Sequence, residues 1–290
     1  MRKIKVLHLE PTDVCQLACP LCARETDKEF KKSFKNHLTI PQIQQHLTNQ
    51  EIKELDKMFM CGNYGDPAAG THTLDIYRWF REVNPTVTLG MNSNGALQTT
   101  FWWHSLGQLF NQTHDYCVFS IDGLEDTNPV YRVNSNWAKL MANAEAYISA
   151  GGSAHWDMLV YKHNQHQVDA CEQLARTMGF TWFRAKVSKR PFSERLEFPI
   201  GWQPAQVKVN SINCHALNEQ SIYIDAQGHL SPCCWLGSRQ SNFITNFDEI
   251  QVSWKTNTPN AVCLTACGSD KINTHFINQW QREIQLNKNL

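Results

Sequence analysis

Three cysteines near the N-terminus constrain this chain more than any other feature. Cys15, Cys19 and Cys22 stand in the run CQLACPLC, with gaps of three and two residues between them. Three thiolates at this spacing can each hold one iron of a four-iron cluster, and the remaining iron then keeps a coordination site for a substrate or cofactor. A zinc knuckle is the alternative, but structural zinc usually takes four ligands and no fourth Cys or His pair lies near Cys22. We therefore expect an iron–sulfur cluster with one open iron.

Composition favours a compact cytoplasmic enzyme. The 290 residues are 42% hydrophobic and 19% charged, which is enough to bury one large core plus a smaller appendage. Because 27 basic residues balance 27 acidic ones, broad binding to nucleic acid or to an anionic membrane is not expected. The sequence shows no signal-peptide core and no apolar run of membrane-spanning length. In a reducing compartment, eleven cysteines indicate metal binding or catalysis more than disulfides.

Strand and helix patterns alternate along most of the chain. Apolar periodicity predicts helices over 40–56, 72–83, 99–110, 136–149 and 166–178, and strands near 155–161 and 181–187. This alternation predicts an α/β fold with a parallel sheet and right-handed crossovers. Residues 191–213 are rich in Pro and Gly and are predicted to connect two regions, residues 1–190 and 214–290.

Four segments together resemble the radical S-adenosylmethionine (SAM) superfamily. The cysteine triplet follows a strand-like run at residues 5–10 and has the spacing of that superfamily. Residues 62–67, GNYGDP, resemble the Gly-Gly-Glu-Pro segment that receives the SAM amino group, with Asp66 in place of the usual Glu. Residues 87–95 are similar to the third strand with its Thr-Asn-Gly ending, and residues 118–123 to the fourth strand with its Ser-Ile-Asp-Gly. The resemblance implies a partial (β/α)6 barrel whose function gathers at the C-terminal ends of its strands.

The resemblance also implies the chemistry and its residues. SAM would chelate the open iron of a [4Fe-4S] cluster, an electron from the reduced cluster would cleave the sulfonium bond, and the 5′-deoxyadenosyl radical would take a hydrogen atom from the substrate. The residues implied to contact SAM are Gly62, Asn63, Gly65 and Asp66 at its amino group, and Ser120 and Arg132 at its carboxylate. For Arg132 an ordinary surface arginine is the alternative.

A second cysteine set occupies the C-terminal region. Cys214, Cys233, Cys263 and Cys267 resemble the ligands of the auxiliary-cluster domains called SPASM and twitch, which implies a second [4Fe-4S] cluster with four protein ligands. No cysteine follows Cys267, so a small twitch-like domain of hairpin and helix is expected. Residues 221–230 predict a β-hairpin about a Gln-Gly turn, which would bring Cys214 and Cys233 together. A zinc ribbon is the alternative for this set.

Cys234 is the candidate catalytic residue. In sulfatase-maturating relatives, an aspartate that takes a proton from the substrate directly follows the corresponding cysteine, whereas this chain has a thiol. The thiol could lose its proton if a nearby cluster or cation lowered its pKa, or could donate a hydrogen atom to a substrate radical. Two alternatives stay open: that Cys234, and not Cys233, is a cluster ligand, or that it is only a buried small side chain.

Polar residues on the predicted fifth and sixth strands have plainer interpretations. His155 is expected to be an ordinary hydrogen-bonded histidine. Arg184, Lys186, Lys189 and Arg190 are expected to be solvated charges, with binding of an acidic substrate as the alternative.

The sequence leaves the type of function partly open. The leading hypothesis is a radical SAM enzyme that acts on a small polar metabolite and receives electrons from a donor such as flavodoxin or ferredoxin. The rival enzymatic hypothesis is a maturase that modifies a peptide or protein. The non-enzymatic alternative is a zinc-stabilised nucleic-acid-binding module, which the neutral charge disfavours.

Overall fold

The computed structural model of the protein describes residues 4–28, 30, 35–188, 196–201, 211–237, 261–269 and 282–286. The described strands are β1 Val6–Leu9, β2 Lys57–Met60, β3 Thr88–Ser93, β4 Tyr116–Ser120, β5 Ala154–Val160, β6 Trp182–Val187, β7 Ser211–Ile212, β8 Ser221–Ile224, β9 Leu230–Ser231, β10 Gly268–Ser269 and β11 Arg282–Gln285. The described helices are α1 Ala23–Thr26, α2 Ile40–Gln44, α3 Asn49–Lys53, α4 Thr73–Val83, α5 Thr100–Leu109, α6 Asn128–Tyr131, α7 Trp137–Ser149, α8 Val168–Met178, α9 His215–Asn218, α10 Cys234–Gly237 and α11 Ala261–Cys267.

The central feature is an open sheet in which β1 to β6 lie side by side in chain order. These six strands are parallel, and helices lie between consecutive strands along the chain. The strand β11 pairs antiparallel with β6 and forms one edge, while β9 forms the other edge. The predicted α/β fold with a partial six-stranded barrel is therefore confirmed. The predicted helices 72–83, 99–110, 136–149 and 166–178 correspond to α4, α5, α7 and α8.

The predicted helix over residues 40–56 is wrong, because two short helices, α2 and α3, occupy this stretch. Thr48 begins the second helix: its hydroxyl accepts a hydrogen bond from the backbone N–H of Glu51, and the Glu51 carboxylate accepts one from the N–H of Thr48 at 2.8 Å. This reciprocal capping box starts a new helix and interrupts the earlier one.

Side chains alternate between two environments along the central strands. One face is apolar and packs against the helices; in β5 it presents Ala154, Trp156, Met158 and Val160, all fully buried. The opposite face, here called the inner face, carries half-buried residues such as His155 and Asp157. A strand with alternating side chains places such residues on one surface. The inner face is therefore the polar surface that the barrel encloses.

The hairpin predicted at residues 221–230 is confirmed as β8 and β9, which pair antiparallel. The sequence did not predict that β8 would also pair in parallel with β1, with Tyr223 opposite His8. The C-terminal hairpin thus extends the barrel sheet beside the strand that leads into the N-terminal cysteines. The predicted boundaries at 190 and 214 stay a prediction, and residues 191–195 and 202–210 of the predicted connection lie outside the described residues. Among the described helices, none is both long and apolar enough to cross a lipid bilayer.

Candidate active site

The N-terminal cysteines lie together just beyond the C-terminal end of β1. Cys19 is buried, and Cys15 and Cys22 are half-buried. Burial raises the pKa of the Cys15 thiol to about 12, and the nearby charges of Asp66, Cys19 and Cys22 act in the same direction. The three thiols are thus close enough to interact electrostatically, while their role as iron ligands stays a prediction.

Backbone hydrogen bonds hold the segment that carries these cysteines, residues 13–22, here called the cysteine loop. The N–H of Cys22 donates to the carbonyl of Cys19 at 2.9 Å and closes a tight turn. The N–H of Ala18 donates to the carbonyl of Val133 at 3.1 Å, which anchors the loop to the segment after α6. The loop is therefore fixed both internally and to the neighbouring part of the barrel.

The segment predicted to receive the SAM amino group, residues 62–67, packs directly against the cysteine loop and is here called the glycine loop. A Cβ on Gly65 would lie 1.9 Å from the carbonyl oxygen of Thr12 and 3.0 Å from the Cα of Asp13, where the cysteine loop begins, and one on Gly62 would lie 2.0 Å from the carbonyl oxygen of Gly65. Only glycine permits such close backbone contact. The Cys22 thiol donates a long hydrogen bond, 3.9 Å, to the carbonyl of Asn63. The two loops therefore form one surface at this end of the sheet.

Asp66 joins the glycine loop to the end of β3. Its side chain is buried, and its two oxygens accept four hydrogen bonds: from the N–H of Ala68, the hydroxyl of Ser93, and both the N–H and the side-chain amide of Asn94, at 2.6 to 2.9 Å. Burial raises the pKa of Asp66, and these donors oppose the shift. The described contacts fix the loop, whereas the direct bond to the SAM amino group stays a prediction.

Arg132 lies beside the cysteine loop and is not a surface arginine, because its side chain is only 17% exposed. Its Nε donates to the Oδ2 of Asp122 at 2.6 Å, and the other oxygen of this buried carboxylate accepts the N–H of Leu159 at 2.6 Å. Burial raises the pKa of Cys19, and the Arg132 cation opposes that shift. Asp122 belongs to the Ser-Ile-Asp-Gly segment but was not predicted to contact Arg132; its bond to Nε holds the guanidinium near Cys19.

Ser120 begins a polar row across the inner face. It is the last residue of β4 and lies in register with Asp157 of β5, which lies in register with Arg184 of β6. The Asp157 carboxylate accepts hydrogen bonds from Nη2 of Arg184 at 2.9 Å and Nζ of Lys186 at 2.8 Å. Burial raises the pKa of Asp157, but these two cations outweigh burial and hold it below its ordinary value. Arg184 and Lys186 are solvated, as expected, with side chains 41% and 38% exposed, and both also pair with Asp157. Lys189 and Arg190 lie outside the described residues.

Aromatic rings line the inner face deeper in the barrel. The His8 ring stacks on Phe59 at a centroid distance of 4.3 Å, and Tyr116 stacks on His155 at 5.4 Å. The Lys57 ammonium lies between the Phe59 and Tyr116 rings, 5.2 and 4.8 Å from their centroids. Burial lowers the pKa of His8 and of His155 to about 4, so both imidazoles are neutral at neutral pH. The inner face therefore carries aromatic rings around the Lys57 ammonium as well as the ion-paired residues Asp157, Arg184 and Lys186.

The C-terminal cysteines also gather. Burial raises the pKa of Cys233 to about 11, and the nearby thiols of Cys214 and Cys263 add to the shift. Cys263, in α11, packs in one apolar cluster with Cys233. The carbonyl of Cys267 accepts the N–H of Asn213 at 2.9 Å, which places its backbone beside that of Cys214. The hairpin thus brings Cys214 and Cys233 together as predicted, and the ligand role of the four cysteines stays a prediction.

Cys234 lies between this cysteine set and the glycine loop. Its carbonyl accepts a hydrogen bond from the side-chain amide of Asn63 at 3.1 Å. Burial raises the pKa of the Cys234 thiol to about 12, and the neighbouring groups of Cys233, Cys61 and Glu10 act in the same direction. These surroundings favour the protonated thiol, which can donate a hydrogen atom, over a thiolate that would accept a proton.

Glu10, immediately after β1, is a buried acid that sequence reasoning did not single out. It is 2% exposed, and its Oε1 accepts the N–H groups of Tyr64 at 2.7 Å and of Gly65 at 3.1 Å. Its Oε2 accepts a hydrogen bond from the hydroxyl of Tyr223, in β8. One carboxyl group therefore contacts both the glycine loop and the C-terminal hairpin.

Both cysteine sets suit iron–sulfur clusters by their donor chemistry. Such clusters are held by cysteine thiolates, and both sets consist of cysteine alone. Among the described residues, no three His, Cys, Asp or Glu side chains meet in an arrangement that would hold a metal ion. The fit to clusters therefore depends on residue type, spacing and mutual proximity.

Comparison with known proteins identifies the fold. No family model matches the sequence, and the search of curated proteins finds no relative. SuiB of Streptococcus suis bound to S-adenosylmethionine superimposes with a TM-score of 0.60 and 14% identity, covering 92% of this chain and 71% of SuiB. The chain has the radical SAM fold. A second radical SAM structure, native anSMEcpe with bound AdoMet and Cp18Cys peptide, matches with a TM-score of 0.59 and 12% identity over 95% of this chain and 87% of anSMEcpe.

The similarity to radical SAM structures extends over most of this chain. SuiB bound to its precursor peptide SuiA also matches, with a TM-score of 0.58 and 14% identity over 92% of this chain and 70% of SuiB. The chain therefore spans about seven tenths of the length of SuiB. With identities this low, the comparisons establish the fold, and the residues must carry the argument about function.

Proposed function

We propose that the protein is a radical SAM enzyme that reductively cleaves SAM and abstracts a hydrogen atom from its substrate. The observation that carries the proposal is the meeting of the cysteine loop and the glycine loop beyond β1 and β2 of a radical SAM fold. Burial and mutual proximity of the thiols of Cys15, Cys19 and Cys22 support their assignment as cluster ligands.

The side chains around these thiols have separable roles in the proposal. When bound, the reduced cluster supplies the electron that converts SAM to methionine and a 5′-deoxyadenosyl radical. The glycine loop and Ser120 would orient SAM over the cluster. Arg132 would bind the SAM carboxylate, and Asp122 would hold the guanidinium in place, because a fixed arginine gives a directed, charge-assisted bond.

The C-terminal cysteines would hold a second, auxiliary [4Fe-4S] cluster. We assign Cys214, Cys233, Cys263 and Cys267 as its ligands, and Cys234 as a catalytic thiol that can donate a hydrogen atom to a substrate radical. The position of Cys234 against the glycine loop supports this assignment. Electrons would come from a donor such as flavodoxin or ferredoxin, and we place the enzyme in the cytoplasm, where such donors and reduced thiols are found.

For the substrate, we propose a peptide. SuiB bound to precursor peptide SuiA and anSMEcpe bound to Cp18Cys peptide match this chain over 92% and 95% of its length. This reverses the order that the sequence suggested, in which a small polar metabolite came first. The ion-paired row of Asp157, Arg184 and Lys186 on the inner face is compatible with either polar substrate class and keeps the metabolite as the second candidate.

Anaerobic purification and reconstitution with iron and sulfide test the proposal. We expect a brown protein with two four-iron clusters that forms 5′-deoxyadenosine from SAM when a strong reductant is added. A colourless zinc protein would instead support the nucleic-acid-binding alternative. Mass spectrometry of a peptide encoded beside the gene, after co-expression with the enzyme, separates the two substrates: a modified peptide supports the maturase, and an unmodified one favours the metabolite.

A further inference from the structure

We propose that Glu10 is a positioning residue that locks the glycine loop to the C-terminal hairpin through Tyr223, an inference that rests on the proposed role of that loop in binding SAM. Glu10 is not among the residues proposed to bind SAM. It acts through the backbone N–H groups of Tyr64 and Gly65, which it holds at 2.7 and 3.1 Å.

Tyr223 completes the link on the hairpin side. Its hydroxyl donates to Glu10 and accepts a hydrogen bond from the side-chain amide of Asn63 at 3.3 Å. The same amide of Asn63 donates to the carbonyl of Cys234 at 3.1 Å. The glycine loop is therefore attached to the C-terminal region at Tyr223 and at Cys234. Asn63, which makes both contacts, is predicted to bind SAM, and Cys234 is predicted to act on the substrate radical.

The link is buried and joins two residues that are far apart in the sequence. Glu10 and Tyr223 are 2% and 1% exposed, and they lie 213 positions apart in the chain. The register that places β8 beside β1 brings them together. A buried carboxylate that loses one donor keeps an unsatisfied oxygen, which is energetically unfavourable. Loss of the Tyr223 hydroxyl therefore also weakens the hold of Glu10 on the N–H groups of Tyr64 and Gly65.

The charge of Glu10 sets the strength of the link. Tyr223 and Asp225 on the hairpin side and Cys234 in α10 are titratable groups that act on Glu10. The His8 ring of β1 contacts Tyr223, and the Arg24 guanidinium reaches the carbonyl of Tyr64 at 3.4 Å, but the described hydrogen bonds of the Glu10 carboxylate come from no cation. Burial accordingly raises the pKa of Glu10 to about 7. The hydrogen bonds from Tyr64, Gly65 and Tyr223 oppose this shift, because hydrogen bonds to an ionised acceptor are roughly twice as strong as neutral ones. In a local opening that breaks these bonds while Glu10 stays buried, ionised Glu10 therefore holds the loop more tightly; in global unfolding, which exposes Glu10, the burial effect dominates and has the opposite sign.

Amide hydrogen exchange on the reconstituted full-length protein measures the link directly. The N–H groups of Tyr64 and Gly65 report on Glu10, and that of Asp66, which donates to the carbonyl of Val14, is the internal reference on the same loop. Between pH 6 and pH 8 the protection of Tyr64 and Gly65 relative to Asp66 should rise about fivefold in the wild type. In Glu10→Gln this rise should be absent, because the amide does not titrate.

Tyr223→Phe tests the hairpin side of the link, and Tyr77→Phe is its matched control. Tyr77 is also a fully buried tyrosine, and its hydroxyl donates to the carbonyl of Gly90 in β3, at 2.7 Å, and not to a residue of the glycine loop. We expect Tyr223→Phe to lower the relative protection of Tyr64 and Gly65 about fivefold and to raise the Kd for SAM by a similar factor. Tyr77→Phe should change neither quantity.

Equal protection and equal SAM affinity in Tyr223→Phe and Tyr77→Phe would overturn the proposal, as would a pH rise that persists in Glu10→Gln. If circular dichroism shows that Tyr223→Phe does not fold, Glu10→Gln alone decides by the same exchange criterion. A wild-type protein that binds no SAM would refute the proposed function, and the exchange measurement would still judge the link itself.

Discussion

Replacing Asp66 with Asn should loosen the glycine loop and thereby weaken SAM binding. The carboxylate accepts four hydrogen bonds, two on each oxygen. An asparagine side chain keeps one acceptor oxygen, and its amino group replaces an oxygen that accepts two hydrogen bonds, one of them from a backbone N–H, of Ala68 or Asn94, that the amino group cannot accept. Hydrogen bonds to charged groups contribute about 1.5–3 kcal/mol each, so losing two costs the folded protein about 3 kcal/mol or more.

The assay compares thermal unfolding and SAM affinity in the same anaerobic samples. A loss of about 3 kcal/mol should lower Tm by roughly 6 °C or more in a protein of this size. Because the loop is expected to bind SAM, the Kd for SAM should rise roughly tenfold. The Kd is measured from the change that SAM causes in the electron paramagnetic resonance signal of the reduced cluster. The N-terminal cluster should stay intact, as iron content will show.

Asp115→Asn is the matched control. Asp115 is 2% exposed, and its carboxylate accepts the N–H groups of Leu89 at 2.7 Å and Gln112 at 3.0 Å as well as a hydrogen bond from the Arg81 guanidinium, at the end of the sheet opposite the cysteine loop. It should lower Tm by a similar amount without changing the SAM Kd. If Asp66→Asn lowers Tm but leaves the Kd at the wild-type value, the glycine loop does not bind SAM, and the reasoning is refuted.

Three further outcomes can be measured on single variants. Relative to Glu10→Gln, the wild type should lose about 3 kcal/mol of unfolding free energy as pH rises from 4.5 to about 7, because the folded protein binds the Glu10 proton more tightly than the unfolded chain does. Urea unfolding of both proteins at pH 5 and pH 8 checks the sign, and a gain of stability with pH would contradict the prediction. Asp122→Asn should raise the SAM Kd about tenfold by releasing Arg132 from its buried partner, and an unchanged Kd would show that Arg132 does not bind SAM. Cys233→Ser should lose auxiliary iron, whereas Cys234→Ser should keep all iron but lose product; loss of iron in Cys234→Ser would move the ligand assignment to Cys234.

The features that were predicted correctly are those encoded within short stretches of sequence. Two short motifs each indicate a local structure: the spacing of Cys15, Cys19 and Cys22, and the two glycines of the glycine loop. Each motif directly follows a strand of the parallel sheet. Strand ends of one polarity meet at the same edge, so sequence alone could place these segments together. The helix over residues 40–56 failed because apolar periodicity does not reveal where a capping box, such as that of Thr48, starts a new helix.

The features that were missed depend on long-range pairing. Nothing local to Glu10 indicates Tyr223, because their contact follows from the register of β8 on β1. The role of Asp122 likewise required the position of Arg132 at the end of α6. The inner face could have been predicted from the sequence, because strict alternation in β5 separates His155 and Asp157 from the buried Trp156. Sequence reasoning considered these polar residues one at a time and so did not recognise a common surface.

The most direct test of the account is 5′-deoxyadenosine formation by a triple Cys15, Cys19 and Cys22→Ala variant, reconstituted anaerobically beside the wild type. Cys171→Ala is the control, because Cys171 is fully buried in the core and belongs to neither cysteine set. We predict that the triple variant keeps about half of the iron, held by the C-terminal cysteines, and cleaves no SAM, while the control keeps all of its iron and forms 5′-deoxyadenosine at the wild-type rate. Production of 5′-deoxyadenosine by the triple variant would contradict the assignment of these three cysteines as the site of SAM cleavage.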